Sequence, residues 1–288
     1  MKQIAIVLCL SAALALSVSC SESLLNIPQL GVQSEANSYI TDEDCDAATA
    51  AVYAAWRHAW SGTGSSSAIG TTFCNLFWFK NLLSDEFNPG SQTYQTDLAS
   101  YTYTNANPWI GAIYEFLYGT VYYANIVIDN FKPESETKTR CIAEAKFFRG
   151  YAHLHLAALW GETVPMVDHL LNTDEYHVGH SEPGKVWELV ENDLKASIAV
   201  LPSKKNVNDQ TQMRITKEAA EVYLGNAYLW QKKYKEAAAE YEKVIGSGLY
   251  KLWDGEFENL THVPANNCCE KVLEAQVHNS WRLTVPQY

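Results

Sequence analysis

Between Ser84 and Asn107 the chain reads SDEFNPGSQTYQTDLASYTYTNAN, which sets Tyr94, Tyr101 and Tyr103 among Asp85, Asn88 and Asn105. Phenol rings present flat apolar faces with a polar tip, and amides and carboxylates exchange hydrogen bonds with hydroxyl groups. The combination suits a polyhydroxylated ligand whose C–H faces stack on a ring while its hydroxyls meet side chains. The same tyrosines would also serve to pack the segment onto neighbouring helices. Pro89 and Gly90 interrupt it and no helical period runs through it. A long irregular insertion is expected here, of a kind that is more often functional or disordered than purely connective.

Other reactive residue types form no constellation. His153 and His155 are two apart on a helix, so they face different ways and cannot share a metal ion; His177 and His180 have no nearby Cys or paired Glu. Glu191 and Asp193, also two apart, read as a solvated helix face. Asp85 and Glu86 are adjacent, a poor arrangement for flanking one glycosidic bond. There is no Gly-rich phosphate loop, no Gly-x-Ser-x-Gly and no Ser/His/Asp set. Neither an enzyme, a cofactor nor a metal is expected. The net charge of −12 argues against nucleic acid, which requires clustered Lys and Arg.

The elements that must position the tyrosines are helices. Within Cys141 to Val167, Phe148, Tyr151, Ala152, His155, Leu156, Leu159 and Trp160 recur at steps of three and four, the spacing of one helix face, while Glu144, Lys146, Arg149 and His153 lie off it. Gly161 follows where a C-terminal cap needs a residue without Cβ, and Pro165 forbids continuation. Thr41-Asp42-Glu43-Asp44 has the form of a capping box, and a helix to about Trp60 with Ala48, Val52, Ala55 and Ala59 on one face is expected after it. Further helices are expected over Thr72–Leu83, from Pro108 with Asn107 as N-cap to about Lys132, and over Val186–Leu201, Lys217–Gln231 and Tyr234–Ile245. A short strand is expected over Val272–Val277. At 47% apolar residues the chain can bury a substantial core.

Residues 1–19 read as a signal peptide: Lys2 is a basic start and Ile4 to Val18 an apolar run too short to span a bilayer comfortably. Ser19-Cys20 closes it in the manner of a bacterial lipobox, which makes Cys20 the lipidation site and residues 20–40 a lipid-anchored tether. Plain secretory cleavage is the alternative. With Cys9 removed and Cys20 set aside, five cysteines remain; the odd number implies no complete disulfide framework, and they read as small buried apolar residues.

Leu224, Gly225, Tyr228, Ala237 and Tyr241 match the spacing of a tetratricopeptide helix pair, with Glu221 in place of the usual Trp and Leu249 in place of the terminal Pro. One such pair cannot bury its own face, so several must stack. The expected fold is all-α, a tetratricopeptide-like helical superhelix with long irregular loop insertions, over residues 41–288.

Five stretches in this order resemble the SusD/RagB family of outer-membrane nutrient-binding lipoproteins of Bacteroidetes: Cys20 with SESLLNIPQ; Ser84-Asp85-Glu86 after an apolar helix; Trp109-Ile110 through Ile113-Tyr114 to Tyr123-Ala124-Asn125; EAKFFRGYAHLHLAALWGETVPMV; and VENDLKASIAVLP with RITKEAAEVYLGNAYLWQKKYKEAAAEYEKVIGSGLYKL. Family members are usually about twice this length, so the resemblance is to their N-terminal portion. It implies a surface-exposed, lipid-anchored protein of the outer membrane. It also implies a SusC-like TonB-dependent transporter as partner, and capture of oligosaccharides for import without catalysis. The family often places a binding aromatic in a Thr-aromatic-Thr context before the Trp109-type helix, as in Thr102-Tyr103-Thr104. That makes Tyr103 the expected stacking platform, with Tyr101 and Asn105 nearby. Glu144 and Arg149 are a family hallmark, expected to hold helices together rather than to touch ligand. The rival reading is a tetratricopeptide scaffold that grips a peptide or protein without any sugar; a pure scaffold does not need the tyrosine-bearing insertion.

Overall fold

A computed structural model describes residues 39–61, 76–84, 86–90, 93–206, 213–262 and 265–275. The signal peptide and nearly all of the tether, residues 1–38, lie outside these, as does Asp85. Contacts divide the chain after Ile40, and all of the helices below belong to the second unit, Thr41–Tyr288.

Described in order, the helices are α1 (Asp42–Ser61), α2 (Leu76–Leu82), α3 (Thr93–Ala99), α4 (Pro108–Asn130), α5 (Glu136–Trp160), α6 (Lys185–Val200), α7 (Lys217–Trp230) and α8 (Tyr234–Gly246). From α4 onward each helix packs on its successor, and α1 lies against both α4 and α5. This is the stacked-neighbour architecture of a tetratricopeptide-like array. The described residues contain no strand, and Val272–Ala275 is irregular where a strand was expected.

Caps set several boundaries. Thr41 N–H donates to Asp44 Oδ2 at 2.8 Å and Asp44 N–H to Thr41 Oγ1 at 3.1 Å, the reciprocal capping box that opens α1. Asn107 Oδ1 accepts from Trp109 N–H at 3.0 Å, and Pro108 takes the first position of α4, where its missing N–H has no cost. Gly161, at φ +96°, closes α5. The start of α5 is five residues earlier than the apolar period suggests, because Ser135 Oγ accepts from Lys138 N–H at 3.1 Å and caps a polar first turn.

The helix α5 is the centre of the core. Every residue from Ala143 to Ala157 except Lys146 is buried. This corrects the expectation of one apolar face with polar residues off it: α4, α6, α1 and α7 all contact α5, so Glu144, Arg149 and His153 are enclosed as well. Each then needs a partner. Arg149 donates from Nε and Nη2 to the two carboxylate oxygens of Asp193 at 2.7 and 2.9 Å, and from Nη1 to Asn125 Oδ1 at 2.9 Å and to the Asp168 carbonyl. Glu144 meets Arg214 Nη1 at 2.9 Å and Arg140 Nε at 3.5 Å. Arg149 thus joins α5 to α4 and α6, while Glu144 ties α5 to Arg214, just ahead of α7. Asp193 is likewise buried rather than on a solvated face, since it is the partner that Arg149 requires.

The segment from Gly161 to Gly184 has no regular structure, yet the path of residues 165–170 is fixed from the helices. Tyr118 Oη donates to the Pro165 carbonyl at 2.6 Å, Asn125 Nδ2 to the His169 carbonyl at 2.9 Å, and Leu170 N–H to Asp129 Oδ2 at 2.6 Å. Val167 N–H donates to His153 Nε2 at 3.3 Å.

At the far end, α7 and α8 meet through the repeat positions. Leu224, Gly225, Tyr228 and Ala237 are buried, and a Cβ at Gly225 would stand 2.5 Å from the Tyr241 ring, whose Oη donates to Asn226 Oδ1 at 2.7 Å. Gly225→Ala is therefore expected to lower the unfolding free energy by about 1–3 kcal/mol through overpacking. In a Tyr241→Ala background the same change should cost much less, which a double-mutant cycle by urea unfolding would read. Additive costs would mean that the ring is not what excludes the methyl group.

Candidate functional site

The tyrosine-bearing segment is not wholly irregular. It holds the two-turn helix α3, too short to display a period in sequence, which turns only Leu98 into the core. Gln95 Oε1 accepts from Gly90 N–H at 3.2 Å at its start. Asn107, besides capping α4, donates from Nδ2 to the Tyr94 carbonyl at 3.1 Å and so ties α3 to α4.

The C-terminus of α3 sets the geometry of the site. Thr102 N–H returns to the Asp97 carbonyl at 3.0 Å and Tyr101 N–H to the Leu98 carbonyl at 3.2 Å. This is a Schellman motif with Tyr101 at the position that glycine usually fills. Tyr101 has φ +57°, a left-handed conformation that costs an L-residue about 1–2 kcal/mol. Its Oη donates to the Leu83 carbonyl at 2.5 Å, which fixes the ring against the end of α2 while leaving the residue 59% exposed. A bulky residue held in a strained backbone, with its ring anchored and displayed, is the kind of outlier that points to function.

Tyr94 and Tyr103 are also exposed, at 43% and 41%. Asn88 and Asn105 are exposed on the same segment, but no hydrogen bond joins either side chain to the three tyrosines among the described residues. The structure thus places Tyr94 in the first turn of α3 and Tyr101 in the cap that closes it. Tyr103 follows where the backbone has no regular structure, and Asn88 and Asn105 stand near in sequence only. Sequence reasoning passed over a second aromatic group: Phe77, Trp78 and Phe87 meet edge-to-face at 5.7–5.9 Å, with Phe77 and Trp78 exposed. The signal was the run Phe77-Trp78-Phe79 in a seven-residue helix, which can turn only one of the three, Phe79, into the core. Tyr122 and Tyr123 form another exposed edge-to-face pair, 5.3 Å apart, on α4.

A cavity of about 360 Å³ lies elsewhere, lined by Tyr53, Trp56, Arg57, Met213 and Arg214 together with Glu274 and Ala275. It includes none of the residues singled out for ligand contact.

The comparisons with known proteins agree with this architecture. A SusD-like family model, described as starch-binding and associating with the outer membrane, matches residues 72–229. The chain belongs to the SusD-like family. A SusD-like protein of Bacteroides ovatus is 26% identical over 282 residues, covering 91% of this chain and 47% of the relative. The chain therefore spans about half the length of that curated relative. Among solved structures, a laminarin-binding SusD-like protein is 24% identical with a TM-score of 0.69, covering 82% of this chain and 51% of that one. Surface glycan-binding protein A from Bacteroides uniformis is 20% identical with a TM-score of 0.69, covering 81% of this chain and 52% of that one. At these identities the structural likeness establishes the shared helical fold.

Proposed function

We propose that this chain binds glycans at the bacterial outer membrane, with no catalytic step, and delivers oligosaccharides to a SusC-like TonB-dependent transporter. Tyr101 carries the reading: its ring is anchored through Leu83 and displayed by a backbone conformation that tyrosine rarely adopts. Family membership supports it, because the family is described as starch-binding and associating with the outer membrane. So do the names of two structural relatives, one laminarin-binding and one surface glycan-binding. In this reading Tyr101 and Tyr103 stack on pyranose faces and Tyr94 extends the surface. Asn105, Asn88 and Asp85 supply hydrogen-bonding groups for hydroxyls. Cys20 carries the lipid that holds the protein at the cell surface.

The test is titration calorimetry with starch and laminarin oligosaccharides. Tyr101→Gly is the informative change, since glycine adopts the left-handed conformation freely and keeps the cap while the ring is lost. Tyr101→Gly and Tyr103→Ala are each expected to weaken binding by about 1–3 kcal/mol, roughly 5- to 150-fold. Equal affinity in folded variants would move the site away from this segment.

A further inference from the structure

The cavity beside the last turns of α1 has walls that are held from the core. Tyr53 Oη accepts from Ile215 N–H at 2.8 Å, and its ring meets Phe148 of α5 edge-on at 4.6 Å. The Trp56 ring packs against Phe148 at 5.4 Å and against Tyr151 at 6.3 Å. Ala50, Ala54 and Met213 add apolar surface.

Most of the charge at this cavity is already matched. Arg214 donates to Glu144 at 2.9 Å and to Asp46 at 2.8 Å. Glu274 accepts from Asn267 N–H at 2.8 Å and from Lys271 at 2.5 Å. Arg57 differs. No carboxylate pairs with it among the described residues, and its Nε is buried with no hydrogen-bond partner there. The indole Nε1–H of Trp56, a residue only 5% exposed, is buried and unpartnered among the described residues as well.

Two neighbouring orphans at one cavity call for an explanation, because native structures rarely leave a buried donor without an acceptor. Both groups can only donate, so whatever satisfies them must bring acceptor atoms. Arg57 asks for negative charge besides, and a guanidinium matches a carboxylate with parallel N–H groups. One unpaired cation balances the single charge of a carboxylate better than the nearly double charge of a phosphate monoester. A volume of about 360 Å³ with aromatic walls suits a small ring.

We propose that this cavity is a binding site for a small ring-bearing carboxylate. Arg57 holds the carboxylate, Trp56 Nε1–H donates to an oxygen of the ligand, and Tyr53 and Met213 enclose its ring. The same chemistry is offered by a uronic acid unit of a glycan and by a free organic acid. The site is separate from the tyrosine-bearing segment, and nothing in it depends on that segment binding sugar.

The test follows the Trp56 indole N–H by heteronuclear NMR of the full chain, its signal assigned by its loss in Trp56→Phe. D-Glucuronate and benzoate are titrated separately, with D-glucose and benzyl alcohol as their neutral matches. The expected result is a saturable shift of the Trp56 signal by at least one of the two acids and none by its neutral match. A shift by glucuronate alone identifies an acidic sugar as the source; a shift by benzoate alone identifies a free organic acid. Arg57→Met, which deprives no described group of a partner, is expected to weaken that binding about tenfold or more by calorimetry. Its affinity for starch and laminarin oligosaccharides should stay that of the wild type. No shift with either acid, or an equal shift with the neutral match, would overturn the proposal. So would unchanged affinity for the acid in Arg57→Met. The titrations of the wild type stand whether or not the methionine variant folds.

Discussion

Arg149→Met is expected to lower the unfolding free energy by about 3–5 kcal/mol, a large part of the stability of a domain this size. Arg149 is 6% exposed and Asp193 4% exposed. Burial pushes the Asp193 carboxyl up even with Arg149 beside it, so removing the cation leaves a carboxylate with neither water nor partner. The variant also releases the Asn125 amide and the Asp168 carbonyl, which loosens α4 and the segment after α5 together. Arg149→Lys keeps the charge but not the two-pronged contact and should fall between. Arg149→Met with Asp193→Leu removes both charges and should recover much of the loss. Urea unfolding of the four proteins reads the series. A cost under about 1 kcal/mol for Arg149→Met would show that the pair is solvated.

The second large effect is acid lability. His153 accepts from Val167 N–H at Nε2, so its proton sits on Nδ1 and points to the Arg149 carbonyl at 3.0 Å; the ring is neutral. Burial holds its pKa down to about 4. His155, packed edge-on against Tyr151 at 4.5 Å, is held down to about 3 by burial, with Lys80 adding to it. The unfolded chain takes up protons on these residues near pH 6.5 and the folded chain does not. Their contribution is complete above pH 6.5 and is lost as pH falls from there toward the folded values. Glu144 acts in the opposite sense. Burial raises it to about 7 against Arg214 and Arg140, so in the folded state it holds a proton that the unfolded chain releases above about pH 4.5. Its effect makes the protein more stable as pH falls through that window. Between pH 6.5 and 4.5 these two buried histidines therefore pull against Glu144, Glu221 and His169, whose raised pKa values favour the folded state as pH falls, and His155 alone contributes about 2 kcal/mol of loss in that window. The His155 Nε2 atom has no hydrogen-bond partner among the described residues, so His155→Phe orphans no group. This variant should flatten the decline, with urea midpoints at pH 7 and 4.5 as the measurement. An unchanged slope would remove His155 as its source.

What could be read from sequence was local. The Thr41 capping box, the Asn107-Pro108 start of α4, the Gly161 stop and the Gly225–Tyr241 contact each depend on residues within a turn or one helix pair of each other. What escaped depends on partners far along the chain. A helical wheel sorts α5 into apolar and polar faces, but it cannot show that four helices enclose α5 and that Asp193 waits opposite Arg149. The helix α3 escaped because two turns are too few to show a period. The tyrosines of the candidate site were legible by type and spacing; the left-handed cap that displays Tyr101 was not, because tyrosine there contradicts the glycine preference of such caps.

The segment after α5 is gripped almost wholly by its main chain. Tyr118, Asn125, Asp129, Arg149 and His153 hold the carbonyls and amides of residues 165–170, and none of these contacts depends on which side chains that stretch carries. The instructions for its route are stored in the helices. Mutation can therefore rewrite the outward-facing side chains of this stretch, such as exposed Asp168 and His169, while its path persists. Such a division lets this part of the surface change while the frame beneath it stays as it is.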